Sequence, residues 1–376
     1  MTKQKRNLLT VFLITFVVIV AGLAFKYAYA LAPAPASTTS PKSAKVNEDS
    51  NSKDPTSKPA EEVEKPITLS FTGDILLDKS VGQQIDRYGV DYPFTKVSSL
   101  LKQSDITAGN LETSVSVRGT PAAKQFTFRS KPETLQGLVN SGYDMVSLAN
   151  NHTLDYGVDA LTDTIHNVQK YNLGYSGAGT NEEEAFKAYS TKVNGKKVSI
   201  IALSRVLPNG EWFARGNHPG LAHAYEYEPM LSYVKNTVSQ SDYTIVMIHW
   251  NKERADYPEP YAREMAQKFI DAGVSAVIGG HSHSLMGVEY YKDAPIFYSL
   301  GNFVFTNSSS PKGSETMVVN LTLDKEKVAA KITPAKIIEG QPNLMDETYN
   351  SHIRNKISQL SYNAQVNENG EVVQTP

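Results

Sequence analysis

Five short apolar runs in this chain each end in residues that can bind a metal ion, and this repeated pattern most constrains the fold. The runs are ITLSFTGD, DITAGNLE, YDMVSLANNH, YTIVMIHW and VSAVIGGHSH. Each is rich in Val, Ile, Leu or Met and stops at Gly, Asn or His, which is typical of a buried strand in an α/β sheet. Because such sheets bind ligands at the carboxyl ends of their strands, we expect the polar ends to meet in one crevice.

The polar residues at these strand ends are carboxylates, amides and imidazoles. We predict metal ligands at Asp74, Asn110, Glu112, Asn151, His249, His281 and His283. Asn110 has the alternative of holding the turn after its strand, and Glu112 is in a position to bridge two ions. Oxygen and nitrogen ligands without thiolates suit Mn, Zn, Fe or Mg, so we predict one or two divalent metal ions. Each residue alone has an ordinary explanation as a turn or core residue, and the joint occurrence carries the prediction.

Two further residues are candidates for work on a substrate. His152 directly follows Asn151 and is predicted to donate a proton to a leaving group; a capping histidine in an Asx-turn is the alternative. Arg129, in FTFRSKP, is predicted to bind a phosphate or carboxylate of the substrate, with a plain surface arginine as the alternative. Together with the ligands, these residues predict metal-assisted hydrolysis or transfer.

Composition excludes several classes of protein. The 376 residues include no cysteine, which excludes disulfides, thiolate metal sites, a cysteine nucleophile and a lipid-modified cysteine. The net charge of −2 gives no electrostatic reason to expect nucleic acid as a partner.

The N-terminal region has the pattern of an exported protein. Lys3, Lys5 and Arg6 precede an apolar run, so we predict a cytoplasmic segment at 1–7 and a transmembrane signal-anchor at 8–31. A secretory signal cleaved near Ala28-Tyr29-Ala30 is the alternative, and both place the remainder outside the cell. Residues 32–66 are rich in Pro, Ser, Thr, Lys and Glu, which predicts a disordered extracellular tether.

Residues 67–342 are predicted to form one α/β domain. Apolar periodicity predicts helices within 157–172 and 260–272, and Asn194-Gly195 predicts a hairpin turn. Antiparallel strands are expected after His283, so a two-sheet sandwich flanked by helices accommodates both halves. The irregular segment 208–229 is expected to lie over the site. For 343–376 we predict one helix and then a loose polar tail.

The motifs FTGDILLD, AGNLET, SLANNHTLDYG, IGGHSH and YSLGNFVF, in this order, resemble the CapA family of capsule-biosynthesis proteins, which includes PgsA of the poly-γ-glutamate synthase. The resemblance spans residues 67–338. That family is in turn similar to calcineurin-like metallophosphoesterases, which implies a four-layer α/β/β/α sandwich with a dinuclear metal site.

The resemblance also implies roles for individual residues. Asp74 matches the first aspartate ligand, Asn151 and His152 match the asparagine ligand and the adjacent proton donor, and the remaining ligands match His249, His281 and His283. Two departures stand out. Leu76 occupies the place of a histidine ligand, and Asn110 or Glu112 takes the place of the bridging aspartate.

The function implied is that of a membrane-anchored, single-pass, extracellular component of poly-γ-glutamate synthesis or export in a Gram-positive bacterium. It would act on the polymer beside an ATP-dependent amide ligase subunit and a small membrane subunit of the synthase. Two alternatives stay open at this point. One is a surface metal-dependent phosphoesterase or other hydrolase, and the other is a non-catalytic scaffold with a vestigial site.

Overall fold

The computed structural model describes residues 65–308, 310–324 and 327–376. The predicted cytoplasmic segment and signal-anchor, and the predicted tether up to residue 64, lie outside the described residues. Within the described ranges, no helix has the length and apolar character needed to cross a membrane.

Strands make up most of the regular structure and are named here in chain order. They are β1 (Ile67–Ile75), β2 (Ile106–Leu111), β3 (Ser114–Val115), β4 (Arg129–Ser130), β5 (Met145–Ser147), β6 (Gly174–Ser176), β7 (Ala178–Gly179), β8 (Tyr189–Val193), β9 (Lys196–Ser204), β10 (Gly220–Leu221), β11 (Tyr243–His249), β12 (Ala276–Gly280), β13 (Val288–Tyr291), β14 (Ala294–Phe297), β15 (Asn302–Val304), β16 (Glu315–Asp324), β17 (Lys327–Ile338), β18 (Gln341–Leu344), β19 (Ala364–Val366) and β20 (Glu371–Gln374).

The helices connect these strands and are named in the same way. They are α1 (Lys79–Tyr88), α2 (Ser98–Leu101), α3 (Leu135–Asn140), α4 (Gly157–Lys170), α5 (Glu182–Ala185), α6 (Met230–Ser239), α7 (Pro260–Asp271) and α8 (Glu347–Leu360), with short 3-10 turns at Tyr92–Phe94, Pro132–Thr134, Gly210–Trp212 and Pro311–Ser314.

Two large sheets carry the predicted ligands. The first has the order β19-β20-β17-β16-β1-β2-β5-β6, with β15 on β1 and β18 on β17. The second has the order β13-β14-β12-β11-β9-β8. Strands β1, β2, β5 and β6 run parallel in the first sheet, as do β9, β11, β12 and β14 in the second. Each sheet therefore brings several strand carboxyl ends to one edge.

The sheets pack face to face, because alternate residues of their strands point to opposite sides. In β11, Ile245 lies in the apolar cluster between the sheets, while its neighbours Val246 and Ile248 lie in the cluster under α6 and α7. The outer face of the first sheet packs in the same way against α1 and α4. The layers are therefore helices, sheet, sheet and helices, which confirms the predicted α/β/β/α sandwich.

Several local predictions are confirmed by the structure. Helices α4 and α7 lie inside the predicted ranges 157–172 and 260–272. The β8–β9 hairpin turns at Asn194 (φ 49°) and Gly195 (φ 80°), the left-handed pair that a type I′ turn requires.

The prediction of a loose C-terminal tail is wrong. Helix α8 is present, but β20 pairs with β17 and β19 pairs with β20. Ile353, Ala364 and Val372 join the apolar cluster between the sheets, so the last residues close the core. Strands β19 and β20 are short, and only one face of each is covered. The sequence pattern therefore did not indicate them as strands.

Candidate metal centre

The centre of the site is a buried carboxylate surrounded by histidines. Glu112 follows β2 and has no exposed surface. Its Oε1 lies 3.8 Å from Nε2 of His152, 3.8 Å from Nε2 of His249 and 3.9 Å from Nε2 of His283. Neither carboxylate oxygen has a hydrogen-bond partner among the described residues.

A second buried carboxylate, Asp74 at the end of β1, lies beside the first. Its oxygens are 3.4 Å from Nδ1 of His283 and 4.0 Å from Nδ1 of His249, and they accept the backbone N–H of His281 at 3.3 Å. Ligand atoms of Asp74, Glu112 and His283 all lie within 4.8 Å of one another. The structure therefore gathers residues from β1, β2, β11 and the β12 end, as the strand pattern predicts.

The remaining predicted ligands complete the cluster. Nε2 of His249 lies 2.8 Å from Oδ1 of Asn151 and 3.2 Å from Nδ1 of His281. Burial lowers the pKa of His249 well below its usual value and lowers that of His281 to about 3. Both rings are therefore neutral at physiological pH, and the neutral imidazole is the form that binds metal ions.

The donor set fits a divalent metal ion. Burial, with the neighbouring Asp74 charge, raises the pKa of Glu112 well above its usual value. A buried carboxylate without hydrogen bonds costs free energy, and a cation held between it and the imidazoles removes that cost. Oxygen and nitrogen donors from Asp, Glu, Asn and His suit Zn, Mn or Fe.

The backbone at the end of β12 allows the Asp74 carboxylate to lie close to it. His281 (φ 84°) and His283 (φ 51°) both adopt the left-handed conformation, which costs free energy for residues other than glycine. A Cβ added at Gly280 would lie 2.9 Å from Oδ1 of Asp74, so glycine is needed there to admit the carboxylate. The GGHSH turn thus presents two imidazoles and leaves room for a third ligand.

His152 lies beside the cluster, with one ring nitrogen facing Glu112 and the other facing Asp155. Its Nδ1 lies 2.6 Å from Oδ2 of Asp155, its ring stacks on Phe128 at 4.2 Å, and its Nε2 is the atom near Glu112. Burial lowers the pKa of His152, while the Asp155 carboxylate opposes that shift. The position is adjacent to the predicted ligands, as the proposed proton transfer requires.

Lys124 is a site residue that the sequence analysis missed. Its Nζ donates to Oδ1 of Asp155 at 2.7 Å and to the carbonyl of Asn151, and it lies 3.3 Å from Nδ1 of His152. The ammonium also lies 5.3 Å from the ring centroid of Trp212. Through this contact the segment 208–229 reaches the edge of the site, in agreement with its predicted location. No motif marks Lys124, because it comes from an irregular, mostly exposed loop.

Asn110 and Asn150 are hydrogen-bonded to each other and support different parts of the site. The amide of Asn110 donates to Asp74 at 2.8 Å, and its carbonyl accepts from the buried Asn150 at 3.0 Å. Asn150 also accepts the backbone N–H of His152 at 3.0 Å. Asn110 therefore fixes Asp74 and the turn, which is the alternative role given for it above; metal ligation by Asn110 stays a prediction. Asn150 was not predicted as a site residue, although it is part of the NNH motif.

The predicted substrate residue Arg129 lies apart from these contacts. Its guanidinium stacks on Tyr156 at 4.2 Å, and its Nη1 donates to the carbonyl of Arg118 at 3.4 Å. Its backbone N–H donates to Asp78 at 2.9 Å. None of the contacts found for Arg129 among the described residues reaches a predicted ligand, so substrate binding by Arg129 stays a prediction.

A third missed residue orients His283. Oδ1 of Asn302, at the start of β15, lies 2.8 Å from Nδ1 of His283, and the Asn302 amide donates to Gly313 at 3.0 Å. Asn302 lies in register with Asp74 because β15 pairs with β1. The motif YSLGNFVF contains this residue, but only the strand pairing shows that it faces the site. Leu76, in the place of a histidine ligand, is fully buried.

Comparison of the amino-acid sequence with known proteins places this chain in a family. Residues 68–307 match the family model described as "Bacterial capsule synthesis protein PGA_cap". The chain is 31% identical over 284 residues to "Capsule biosynthesis protein CapA" of Bacillus anthracis, covering 73% of this chain and 69% of that protein. It is 32% identical over 282 residues to "PGA biosynthesis protein CapA" of Bacillus subtilis, covering 73% of each.

Among solved structures, the NAD nucleotidase of Haemophilus influenzae aligns with 79% of this chain and 57% of its own, at 13% identity and a TM-score of 0.42. An overlap of that extent carries no conclusion about activity.

Proposed function

This chain belongs to the PGA_cap family of bacterial capsule synthesis proteins, and on that premise we propose that it handles poly-γ-glutamate during capsule biosynthesis or export. The names of the two CapA relatives support the biosynthetic role. The proposed partners are the polymer itself and the other membrane subunits of the polymer synthase, among them an ATP-dependent amide ligase.

One observation carries the proposal of a working centre: both oxygens of Glu112 are buried without a hydrogen-bond partner among the described residues, and three imidazole nitrogens face one of them. The ion would be held by Asp74, Glu112, Asn151, His249, His281 and His283. A bound divalent ion supplies Lewis acidity, which polarises an anionic oxygen and acidifies a bound water.

His152 would be the proton carrier at this centre. Asp155 accepts the Nδ1 proton of His152, so the neutral ring has its lone pair on Nε2, toward Glu112. From there Nε2 takes up a proton or, once protonated, delivers it to a leaving group. This pair also suits a metal-dependent phosphoesterase or other hydrolase, which is the second candidate function. A non-catalytic scaffold whose site is vestigial is the third.

The location is part of the proposal. We infer that residues 8–31 anchor the chain in the cell membrane and that the domain from residue 67 onward lies outside the cell. The basic residues before the apolar run support this orientation. Protease added to intact cells is expected to degrade the domain, and protection of the domain until the cells are lysed would overturn the inference.

The test combines metal content, polymer yield and phosphodiester turnover in three proteins. They are the wild type, the double variant His281→Ala/His283→Ala, and His152→Ala. Elemental mass spectrometry is expected to find one or two transition-metal ions per wild-type chain and none in the double variant. His152→Ala is expected to keep the metal, because His152 is not among the proposed ligands.

Polymer yield and phosphodiester turnover then separate the three candidate functions. Loss of polymer in cells carrying the double variant supports polymer handling at the metal centre. Turnover of a generic phosphodiester that disappears in His152→Ala supports the hydrolase. Unchanged polymer production by the double variant supports the scaffold, and a folded wild type that takes up neither Mn nor Zn excludes the metal centre.

A further inference from the structure

A cleft beside the metal centre has features of a substrate subsite. Its volume is about 250 Å³, and its lining includes His283, Phe305, Asn307 and the adjacent pair Glu253 and Arg254. It reaches the centre at His283, whose side chain is 20% exposed, against 2% for His249. A group bound in the cleft therefore lies directly against a proposed metal ligand.

The backbone fixes Arg254 to the ligand turn. Its N–H donates to the carbonyl of Ser282, the residue between His281 and His283, at 2.7 Å. Arg254 itself has φ 61°, a conformation that non-glycine residues adopt at a cost in free energy. A second link joins the same segments, since Ser284 Oγ donates to the carbonyl of Ala255 at 3.0 Å. The position of Arg254 relative to the centre is thus set by strained, hydrogen-bonded backbone.

The charges of the cleft leave Arg254 available for a ligand. Lys312, on the neighbouring 3-10 turn, is already paired with Asp256 at 2.7 Å. Within residues 65–308, 310–324 and 327–376, we find no ion pair or hydrogen bond made by the guanidinium of Arg254. A guanidinium binds a carboxylate through two parallel hydrogen bonds, which makes it selective for planar anions. Glu253 next to it adds an acceptor and a negative charge.

We propose that this cleft binds one glutamyl unit of an amide-linked polymer, with Arg254 holding its carboxylate and Glu253 accepting its amide N–H. The inference rests on the proposed function and adds the place and the side chains that bind one unit of the polymer. A phosphate diester offers only acceptors and negative charge, so Glu253 disfavours it, whereas an amide-linked acidic unit offers both an anion and a donor. The cleft is smaller than pockets for drug-sized ligands, about 300–1,000 Å³, which suits a single unit.

The test is calorimetric titration of the purified, manganese-loaded full chain with a short synthetic oligo-γ-glutamate, and separately with a dialkyl phosphate. Arg254→Met is expected to weaken oligomer binding by about tenfold or more, since it removes a charge-assisted pair. Arg254→Lys keeps the charge without the fork and is expected to bind with intermediate affinity. Glu253→Gln is expected to weaken the oligomer and strengthen the phosphate. Arg87→Met, on α1, is the matched control and is expected to bind like the wild type.

The outcomes distinguish this inference from the proposed function. If the wild type binds the oligomer and both Arg254 variants bind it equally well, the subsite is wrong and polymer handling stands. If the wild type holds its metal but binds no oligomer, both are wrong. If the phosphate binds the wild type as tightly as the oligomer, the assigned substrate class is wrong. Metal content is measured for every variant. If Arg254→Met does not fold, the oligomer affinity of Arg254→Lys decides whether Arg254 binds the carboxylate.

Discussion

Nδ1 of His152 lies 2.6 Å from Oδ2 of Asp155, a carboxylate with no exposed surface that also accepts the backbone N–H of Phe128 at 2.7 Å. Because Asp155 takes the Nδ1 proton, it sets the tautomer of the histidine at the centre. Asp155 lies three positions after His152 on the same turn, so the NNHTLD sequence contains both the histidine and the carboxylate that orients it.

Lys124 is expected to act through this pair. Lys124→Met removes the cation from Asp155 and the hydrogen-bond donor to the carbonyl of Asn151. Asp155 is then held less firmly against Nδ1 of His152, so the ring should populate a second tautomer and polymer yield should fall about tenfold. The tautomers are read from nitrogen chemical shifts of histidine side chains. Lys124→Arg should restore yield in part, and Lys131→Met, an exposed lysine paired with Asp86, is the control. If His152 keeps its single wild-type tautomer in Lys124→Met, Asp155 fixes that tautomer without Lys124.

Glu112 is expected to lower the stability of the metal-free protein. Because its pKa is raised in the folded state, the metal-free protein loses stability as pH rises above the ordinary glutamate value toward the raised one. Glu112→Gln removes this loss, so at neutral pH the metal-free variant should be more stable than the wild type by about 1–3 kcal/mol. Added Mn or Zn should reverse the order. Thermal unfolding with and without chelator measures both, and a less stable metal-free variant would contradict the argument.

Gly280 leaves space for a ligand, so its substitution should affect the metal before the fold. In Gly280→Ala, the new Cβ would crowd the Asp74 carboxylate at 2.9 Å, and metal affinity should fall about tenfold or more. The strain should cost about 1–3 kcal/mol of folding free energy. Gly210→Ala is the control, because nothing lies within 4 Å of the added Cβ. Equal metal affinity in the two variants would show that Asp74 is free to move aside.

Glu289 is expected to stabilise the second sheet in a pH-dependent way. It accepts hydrogen bonds from Arg263 at 2.9 Å, Tyr298 at 2.7 Å and Gln267 at 3.0 Å. Burial opposes ionisation, but these donors hold the pKa of Glu289 below its usual value. Its stabilisation is therefore present above the ordinary glutamate pKa and is lost as pH falls through the lowered one.

Glu289→Gln should accordingly lower the free energy of unfolding by about 2 kcal/mol at pH 7, with a difference that shrinks below about pH 4. Denaturant unfolding at several pH values measures this. Glu264→Gln, an exposed glutamate beside Lys268, should change stability by less than about 0.5 kcal/mol. A difference that stays constant down to pH 3 would mean that the charge of Glu289 does not contribute.

The strand pattern predicted the sandwich and most of the cluster, because burial makes strands apolar and strand direction brings their ends together. It could not rank Asn110 against Glu112, since Asn110 lies near the end of β2 and Glu112 directly after it. Only their contacts in the folded structure separate the two: Asn110 is hydrogen-bonded to Asp74, and Glu112 has no hydrogen-bond partner among the described residues. Lys124 escaped detection because it lies in an irregular loop that no periodicity marks. Asn302 required the β15–β1 pairing, a contact between distant segments. The C-terminal strands were missed because alternation with one covered face is weak over three or four residues.

Asp74 and His281 meet in the site although they lie 207 positions apart along the chain. Asp74 is therefore translated long before His281 and His283, and a chain synthesised only as far as β11 lacks both histidines of the GGHSH turn. Ion capture must wait until the sheets have closed. We therefore expect any ion bound at this site to be selected from those present where folding finishes.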